Sequence, residues 1–247
     1  MKHHHLTVIQ HEVRKRIAAL GLPSGARVLD APCGGNAALT CALKQQGFHA
    51  VGADIDSEAA TLLGEGFAKV DLNAPFPWPE QSFDAVISTE GIEHLENHYS
   101  FLREVSRILK PGGVFVLTTP NITALRSRVR FFGSGFFGRD ARPLNESARH
   151  PLHHIGLVTF PELRYELHVS GFRLSEVRHT HVKPVSYIYS IYVPWVWLYT
   201  LIAFRKEKDS GQRKHNKEIR SALHSFSLLF GECLMLIARK SRTEPQN

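Results

Sequence analysis

Val28-Leu-Asp-Ala-Pro-Cys-Gly-Gly-Asn36 reads as a short strand that ends in a tight glycine turn. Val28 and Leu29 are apolar and β-compatible, and Ala26 to Asp30 has the length of a buried strand. Asp30 stands where that strand finishes. Cys33, Gly34, Gly35 and Asn36 are small, so backbone N–H groups in the turn can approach a ligand closely. Ala37 to Gln46, with Ala38, Leu39, Ala42 and Leu43 apolar, reads as the helix that follows. Strand, glycine turn and helix N-terminus together make a nucleotide-type cradle. Two glycines in a strand-to-helix turn also occur where nothing binds, so further residues must decide.

A second acid adds weight. His49-Ala-Val-Gly-Ala-Asp-Ile-Asp56 is another short apolar strand, and its Asp54 follows Asp30 by 24 residues. An acid at the end of the second strand of a βαβ unit is where ribose hydroxyls are held. The turn is not the dinucleotide pattern G-x-G-x-x-G, because Pro32 and Asn36 occupy outer glycine positions.

A chain of 247 residues can bury a sizeable core in one α/β domain with elaborations. A net charge of +7 favours anionic partners: nucleic acid, an anionic membrane surface or an acidic substrate. Cys33, Cys41 and Cys233 are too few and too scattered for a disulfide framework or a zinc site, so no metal is expected and a reducing, cytoplasmic setting fits. His3, His4 and His5 read as a bland N-terminus rather than a metal tract, and no signal peptide opens the chain.

Around the cradle, helices and strands alternate. Thr7 to Leu20 reads as an amphipathic helix that Gly21, Pro23 and Gly25 break. Ser57 to Leu63 reads as a short helix capped by Ser57, and Phe67 to Asp71 as a third strand. Asn73-Ala-Pro-Phe-Pro-Trp-Pro79 is too proline-rich for regular structure. Ser82 to Ser88 is a fourth strand, followed by Thr89-Glu-Gly-Ile-Glu-His-Leu-Glu96. A helix from Tyr99 to Leu109 stops at Lys110-Pro-Gly-Gly113, and Val114 to Thr118 is a fifth strand. Such alternation means a parallel, doubly wound sheet.

Residues 26–121 resemble the class I S-adenosylmethionine (SAM) methyltransferases, the closest subgroup being the ubiquinone-biosynthesis type and related enzymes of polysaccharide and lipid pathways. Asp30 takes the place of the acid of their first motif and Gly34 that of its central glycine. Asp71-Leu-Asn73 matches the segment whose acid meets the adenine amino group. Phe76 to Ser88, Glu90 to Glu96 and Lys110 to Gly113 match the next landmarks in order. The resemblance implies a Rossmann-like, seven-stranded, mostly parallel sheet with an antiparallel last strand at Gly231 to Lys240. It implies SAM as cofactor, with Asp30, Cys33, Gly34 and Gly35 at the turn and Asp54 at the ribose. Ile55, Asp71, Leu72 and Glu90 complete the implied cofactor contacts. It divides the single domain into a SAM-binding half (26–121), an acceptor-side cap with the sixth strand (122–183), an insertion (184–230) and the final strand (231–240).

An acceptor oxygen that attacks a sulfonium methyl must lose a proton, so a base of near-neutral pKa is useful. His94 follows the fourth strand. In resembling enzymes a histidine just before the Thr159 helix often lines the active site, which makes His154 the second candidate and His153 its competitor. For a carboxylate acceptor no base is needed, and positioning carries the rate. Ile122 to Phe137 mixes Leu125, Val129 and four phenylalanines with Arg126, Arg128 and Arg130. It reads either as a helix packed on the sheet or as a cap whose arginines face an anionic substrate or lipid headgroups. Gly171 ends the Thr159 helix, and Phe172 to Thr180 is a sixth strand, parallel to the first five.

Pro184 to Phe204 has no charged residue and is crowded with Tyr and Trp, and Arg205, Lys206, Lys208, Arg213, Lys214 and Lys217 follow it. Its length approaches a membrane span. A span would strand the last sheet strand from its neighbours, so an in-plane membrane contact is expected, with a core segment or dimer face as the alternative. The resulting expectation is an O-methyltransferase acting on an amphiphilic or lipid-linked glycan, quinone or lipid, peripheral on the inner face of the membrane. A soluble small-molecule methyltransferase, with the insertion as a dimer or pocket element, and a non-catalytic scaffold are the alternatives. Nucleic acid is not an expected partner, since no R-G-F motif, zinc knuckle or Asn-Pro-Pro-Tyr tetrad is present.

Overall fold

The computed structural model of the chain describes residues 5–137, 143–147 and 152–242. His3, His4 and His150 lie outside the described residues. Seven strands form one sheet in the order β3-β2-β1-β4-β5-β7-β6. They are β1 (Arg27–Asp30), β2 (His49–Asp54), β3 (Phe67–Lys69), β4 (Phe83–Thr89), β5 (Leu109–Pro120), β6 (Phe172–His179) and β7 (Cys233–Lys240). β1 to β5 pair in parallel. β7 runs antiparallel to both β5 and β6, which leaves β6 parallel to the first five, as its sequence context implied.

Both sheet faces are covered, which is why β1, β4 and β5 read as near-continuous apolar runs. On one face α1 (Val8–Ala19) and α2 (Ala38–Gln45) bury Val13, Ile17, Leu39 and Leu43 against Val28, Ile87 and Val116. On the other, α4 (His98–Ile108) and α6 (Phe160–Val169) bury Phe101, Leu102, Phe160 and Leu163 against Leu29, Val86 and Phe115. Local chemistry sets the helix starts. Thr7 and Gln10 form a capping box on α1, Asn97 accepts the Ser100 N–H, and Thr159 with Glu162 boxes α6.

Three boundaries differ from expectation for reasons visible in the backbone. The helix after β2 is only Ala60–Leu63 (α3), and Ser57 supplies its carbonyl to the Ala60 N–H rather than a side-chain cap. Lys110-Pro-Gly-Gly113 does not precede β5 but lies inside it. Leu109 already pairs with Phe83, and the register shifts before Ala85 meets Val114. Gly112, at φ +77°, and Gly113, whose added Cβ would come 2.8 Å from the Lys110 carbonyl, let that stretch bulge. The last strand starts at Cys233, because Gly231 makes an isolated bridge to Val182 and Glu232 donates its N–H to His181.

Between β6 and β7 the chain forms a 3₁₀ segment (Pro184–Tyr192), α7 (Val193–Phe204), α8 (Ser210–Leu223) and α9 (Phe226–Phe230). α5 (Leu125–Ser134) does not lay its apolar side on the sheet. Its Leu125 clusters with Val196 of α7 and Leu229 of α9. Asn121 anchors this assembly to the end of β5, its Nδ2 donating to the Ser227, Leu228 and Gly231 carbonyls. Pro184–Phe204 is apolar and long enough to cross a membrane by length and composition, yet little of it is buried. Ile188 (72% exposed), Ile191 (76%), Trp195 (67%) and Tyr199 (66%) face outward.

Candidate active site

The strand order reverses between β1 and β4, and ligands in open α/β sheets bind outside the strand C-termini at such a point. Four buried polar atoms there have no partner: Asp30 Oδ1, Ser88 Oγ, Thr89 Oγ1 and Glu93 Oε1. Buried polar groups are normally satisfied, so four together mark a place built to be completed by a ligand. Gly91 lets the loop after β4 close on the cradle, since a Cβ there would lie 2.5 Å from Pro32 Cδ and 2.9 Å from Ser88 Oγ.

In the cradle, Asp54 accepts the Gly34 N–H at 2.8 Å on one oxygen and the Asp56 N–H at 3.1 Å on the other. Each carboxylate oxygen keeps a second acceptor site, which suits the hydroxyls of a ribose. Asp30 accepts from Thr40 Oγ1 at 2.6 Å, and burial pushes its pKa up to about 7 despite that bond. Its unpartnered oxygen suits an ammonium or hydroxyl donor. Gly34 has φ +68° and open space where a side chain would stand. At Gly35 a Cβ would meet the Glu58 carboxylate, a neighbour that sequence reading did not single out. The N–H groups of Gly35 and Asn36 donate to nothing among the described residues. These features fit SAM.

Not every expected cofactor residue turns its side chain to the cradle. Cys33 is buried, with its Sγ against Gly52, and its N–H donates to the Ala53 carbonyl. Leu72 belongs to the main core. Ile55 is half-exposed beside Asp54, and Asp71 is exposed, its Oδ1 taken by the Asn73 N–H. Glu90 has a left-handed backbone, φ +49°, held by its N–H to Thr118, and burial raises its pKa.

Glu90 also borders a cavity of about 490 Å³, a size suited to a small acceptor. Glu93, His94 and His154 line it as well. The two histidine rings meet edge to face, with centroids 4.9 Å apart. Two bonds bring them together: the Gly156 N–H donates to the Glu93 carbonyl at 2.9 Å, and His94 Nδ1 lies 3.1 Å from the His153 carbonyl. A carbonyl only accepts, so Nδ1 of His94 is the donor in this contact, and Nε2 is the ring's remaining acceptor atom in the neutral form. Burial, and then the neighbouring His94, lower the pKa of His154, which stays neutral at pH 7. Burial raises Glu93 to about 8, so it is a neutral acid there, accepting from Thr119 Oγ1 at 3.2 Å. His153 supplies its carbonyl to this arrangement. No metal-ligand spacing is legible in the sequence, yet ligand atoms of Glu93, His94 and His154 lie within 4.8 Å of one another, close enough to hold an ion.

Gly156 was not legible as a functional position. A Cβ there would overlap His98 Nε2 and stand 2.7 Å from the Leu95 carbonyl. Gly156→Ala therefore pushes the 153–156 segment off the loop after β4. Turnover is expected to fall about tenfold or more while SAM affinity holds. Unchanged turnover at normal stability would show that the histidine pairing is dispensable.

The fold defines a doubly wound sheet with a nucleotide-type cradle, and a cavity lined by a pair of histidines stands at the end of β4. Residues 2–177 match the family described as "Methyltransferase domain". The chain belongs to this family. A protein of Mycolicibacterium smegmatis named a probable SAM-dependent methyltransferase is 31% identical over 157 residues, covering 62% of this chain and 54% of the relative. The ubiquinone biosynthesis O-methyltransferase of Xylella fastidiosa is 34% identical over 128 residues, covering 47% and 50%. The chain thus spans about half the length of these curated relatives. A SAM-dependent methyltransferase from Archaeoglobus fulgidus shares the fold, with a TM-score of 0.54, 19% identity and 94% coverage of both chains. SAM is the family's cofactor.

Proposed function

We propose that the protein is a SAM-dependent methyltransferase that methylates an oxygen of an amphiphilic or lipid-linked acceptor (a glycan, quinone or lipid) at a membrane surface. The observation that carries the reading is the acceptor cavity. It is lined by Glu90 just beyond β4, by the His94–His154 pair, and by Lys183, Ser186 and Phe230 beside the exposed aromatic segment.

Bound in the cradle, SAM supplies an electrophilic methyl. Asp30 and Asp54, at the C-terminal ends of β1 and β2, would hold the cofactor there, and Glu90, just beyond the end of β4, lines the cavity. His94 Nε2 or the neutral His154 ring takes the acceptor's proton, and where His94 takes it the His153 carbonyl at its Nδ1 supports the charge.

The membrane part of the reading rests on composition and exposure together. An apolar, aromatic segment stands outward, and the exposed Arg205, Lys206, Lys208, Arg213, Lys214 and Lys217 come next in the chain. Each cation near an anionic surface contributes about 1 kcal/mol. Flotation with phosphatidylglycerol vesicles is expected to carry the protein. Ile188→Glu with Ile191→Glu is expected to cut that binding about tenfold or more without lowering SAM affinity. Absence of wild-type flotation, with dimers seen by sedimentation that the same pair of changes dissolves, would assign the segment to a dimer face in a soluble enzyme instead.

A further inference from the structure

The acceptor cavity carries its charge unevenly. Glu90 and Glu93 stand with the histidines near the end of β4, whereas Arg126, Arg130 and Lys183 gather around the single carboxylate of Glu232. Arg126 and Arg130 are four residues apart on α5 and so share a helix face. Arg128, between them, turns away to donate from Nε to the Thr123 carbonyl at 2.7 Å.

Glu232 is a fixed hub. Its N–H donates to the His181 carbonyl and its own carbonyl accepts the Asn121 N–H, both at 3.0 Å. One carboxylate oxygen accepts from Arg126 Nη1 at 2.9 Å and the other from Lys183 Nζ at 2.6 Å. Burial works to raise the Glu232 pKa, but Lys183, Arg126 and Arg130 outweigh it and hold the group ionised. The Arg130 side chain makes no hydrogen bond or ion pair among the described residues, although it acts on Glu232 through its charge. Arg126 and Lys183 each spend one donor on Glu232 and keep others. Three cations on one carboxylate leave a surplus of two positive charges inside a cavity. That surplus matches a phosphate, which carries about −1.5 to −2 near neutral pH. Arg forks suit its oxygens.

We propose that this wall of the cavity is an anion subsite in which Arg126, Arg130 and Lys183 read a phosphate group of the acceptor, with Glu232 holding two of the cations apart. The inference rests on the reading of the cavity as the acceptor site. The phosphate belongs either to a membrane-lipid headgroup or to a soluble phosphorylated acceptor, and the chemistry of recognition is the same.

The test titrates the full chain with inorganic pyrophosphate by calorimetry, in the presence of SAM, and measures SAM affinity on the same samples. Wild type is expected to bind pyrophosphate, and Arg130→Gln to weaken it about tenfold or more, with SAM affinity unchanged. Glu232→Gln keeps the shape of the hub but removes the competing charge, so it is expected to bind pyrophosphate several-fold more tightly, a gain that a purely structural role would not produce. Competition then separates the sources: displacement of bound pyrophosphate by a short-chain phosphatidic acid but not by glycerol 3-phosphate assigns the phosphate to a lipid, and displacement by both about equally assigns it to a soluble acceptor. Wild type that binds SAM but not pyrophosphate, or Arg130→Gln that binds pyrophosphate as wild type does, overturns the subsite and leaves the cofactor reading standing. A chain that binds neither overturns both.

Discussion

Replacing His154 with alanine is expected to lower kcat about 10²–10⁴-fold, the range typical for loss of a positioned general base, while SAM affinity stays within error. His154 lines the acceptor cavity and not the cradle, so the cofactor does not sense its loss. His94→Ala is expected to cost a similar factor, because the rings sit 4.9 Å apart and both line the same cavity. The double variant should be little worse than the poorer single one, since groups that act as a unit are strongly non-additive. The pH profile adds an independent check. Only the neutral imidazole accepts a proton, and burial lowers the His154 pKa below its ordinary 6.5. The acid limb of the rate profile should therefore have its midpoint below pH 6.5, on the low-pH side of a free imidazole. A His154→Ala enzyme with unchanged kcat would show that the acceptor ionises without help, as a carboxylate does.

Asp54→Ala is expected to weaken SAM binding about 100-fold or more. Hydrogen bonds to a charged acceptor contribute about 1.5–3 kcal/mol each, and tenfold in affinity corresponds to about 1.4 kcal/mol. Loss of the two ribose contacts proposed for Asp54 accounts for that factor. The variant also leaves the Gly34 N–H without its 2.8 Å acceptor and so loosens the turn. Asp54→Asn keeps an oxygen for Gly34 and removes the charge, and an intermediate loss is expected. Equilibrium titration of the folded variants reads both effects. Wild-type affinity in Asp54→Ala would move the cofactor away from the β2 end altogether.

Much of the fold is legible locally. Val28 to Asn36 forms the strand and turn it reads as, and Asp54 reaches that turn because β2 lies beside β1 in register. The order of landmarks from Asp30 to Asn121 suffices for the sheet and its antiparallel partner β7. Cys33 shows the limit of reading a turn by residue size, because nothing local says that its thiol faces Gly52 rather than the ligand. Lys110 to Gly113 looks like a helix stop because glycine and proline break helices, while the pairing of Leu109 with Phe83, which makes it a bulge, depends on a strand far away in sequence. His94 and His154 are each identifiable by type, but the bonds that join them run from Gly156 to Glu93 and from His94 to His153, and no periodicity encodes those. Glu232 is hidden for the same reason. It reads as the edge of a strand, and its three cations come from α5 and from the chain after β6.

The most direct test of the central claim is calorimetric titration of the full wild-type chain with SAM. The account predicts binding at one site, lost in Asp54→Ala and kept in His154→Ala. A wild-type chain that is folded and binds no SAM would contradict the cradle reading built on Asp30, Gly34 and Asp54, and the methyltransferase function with it.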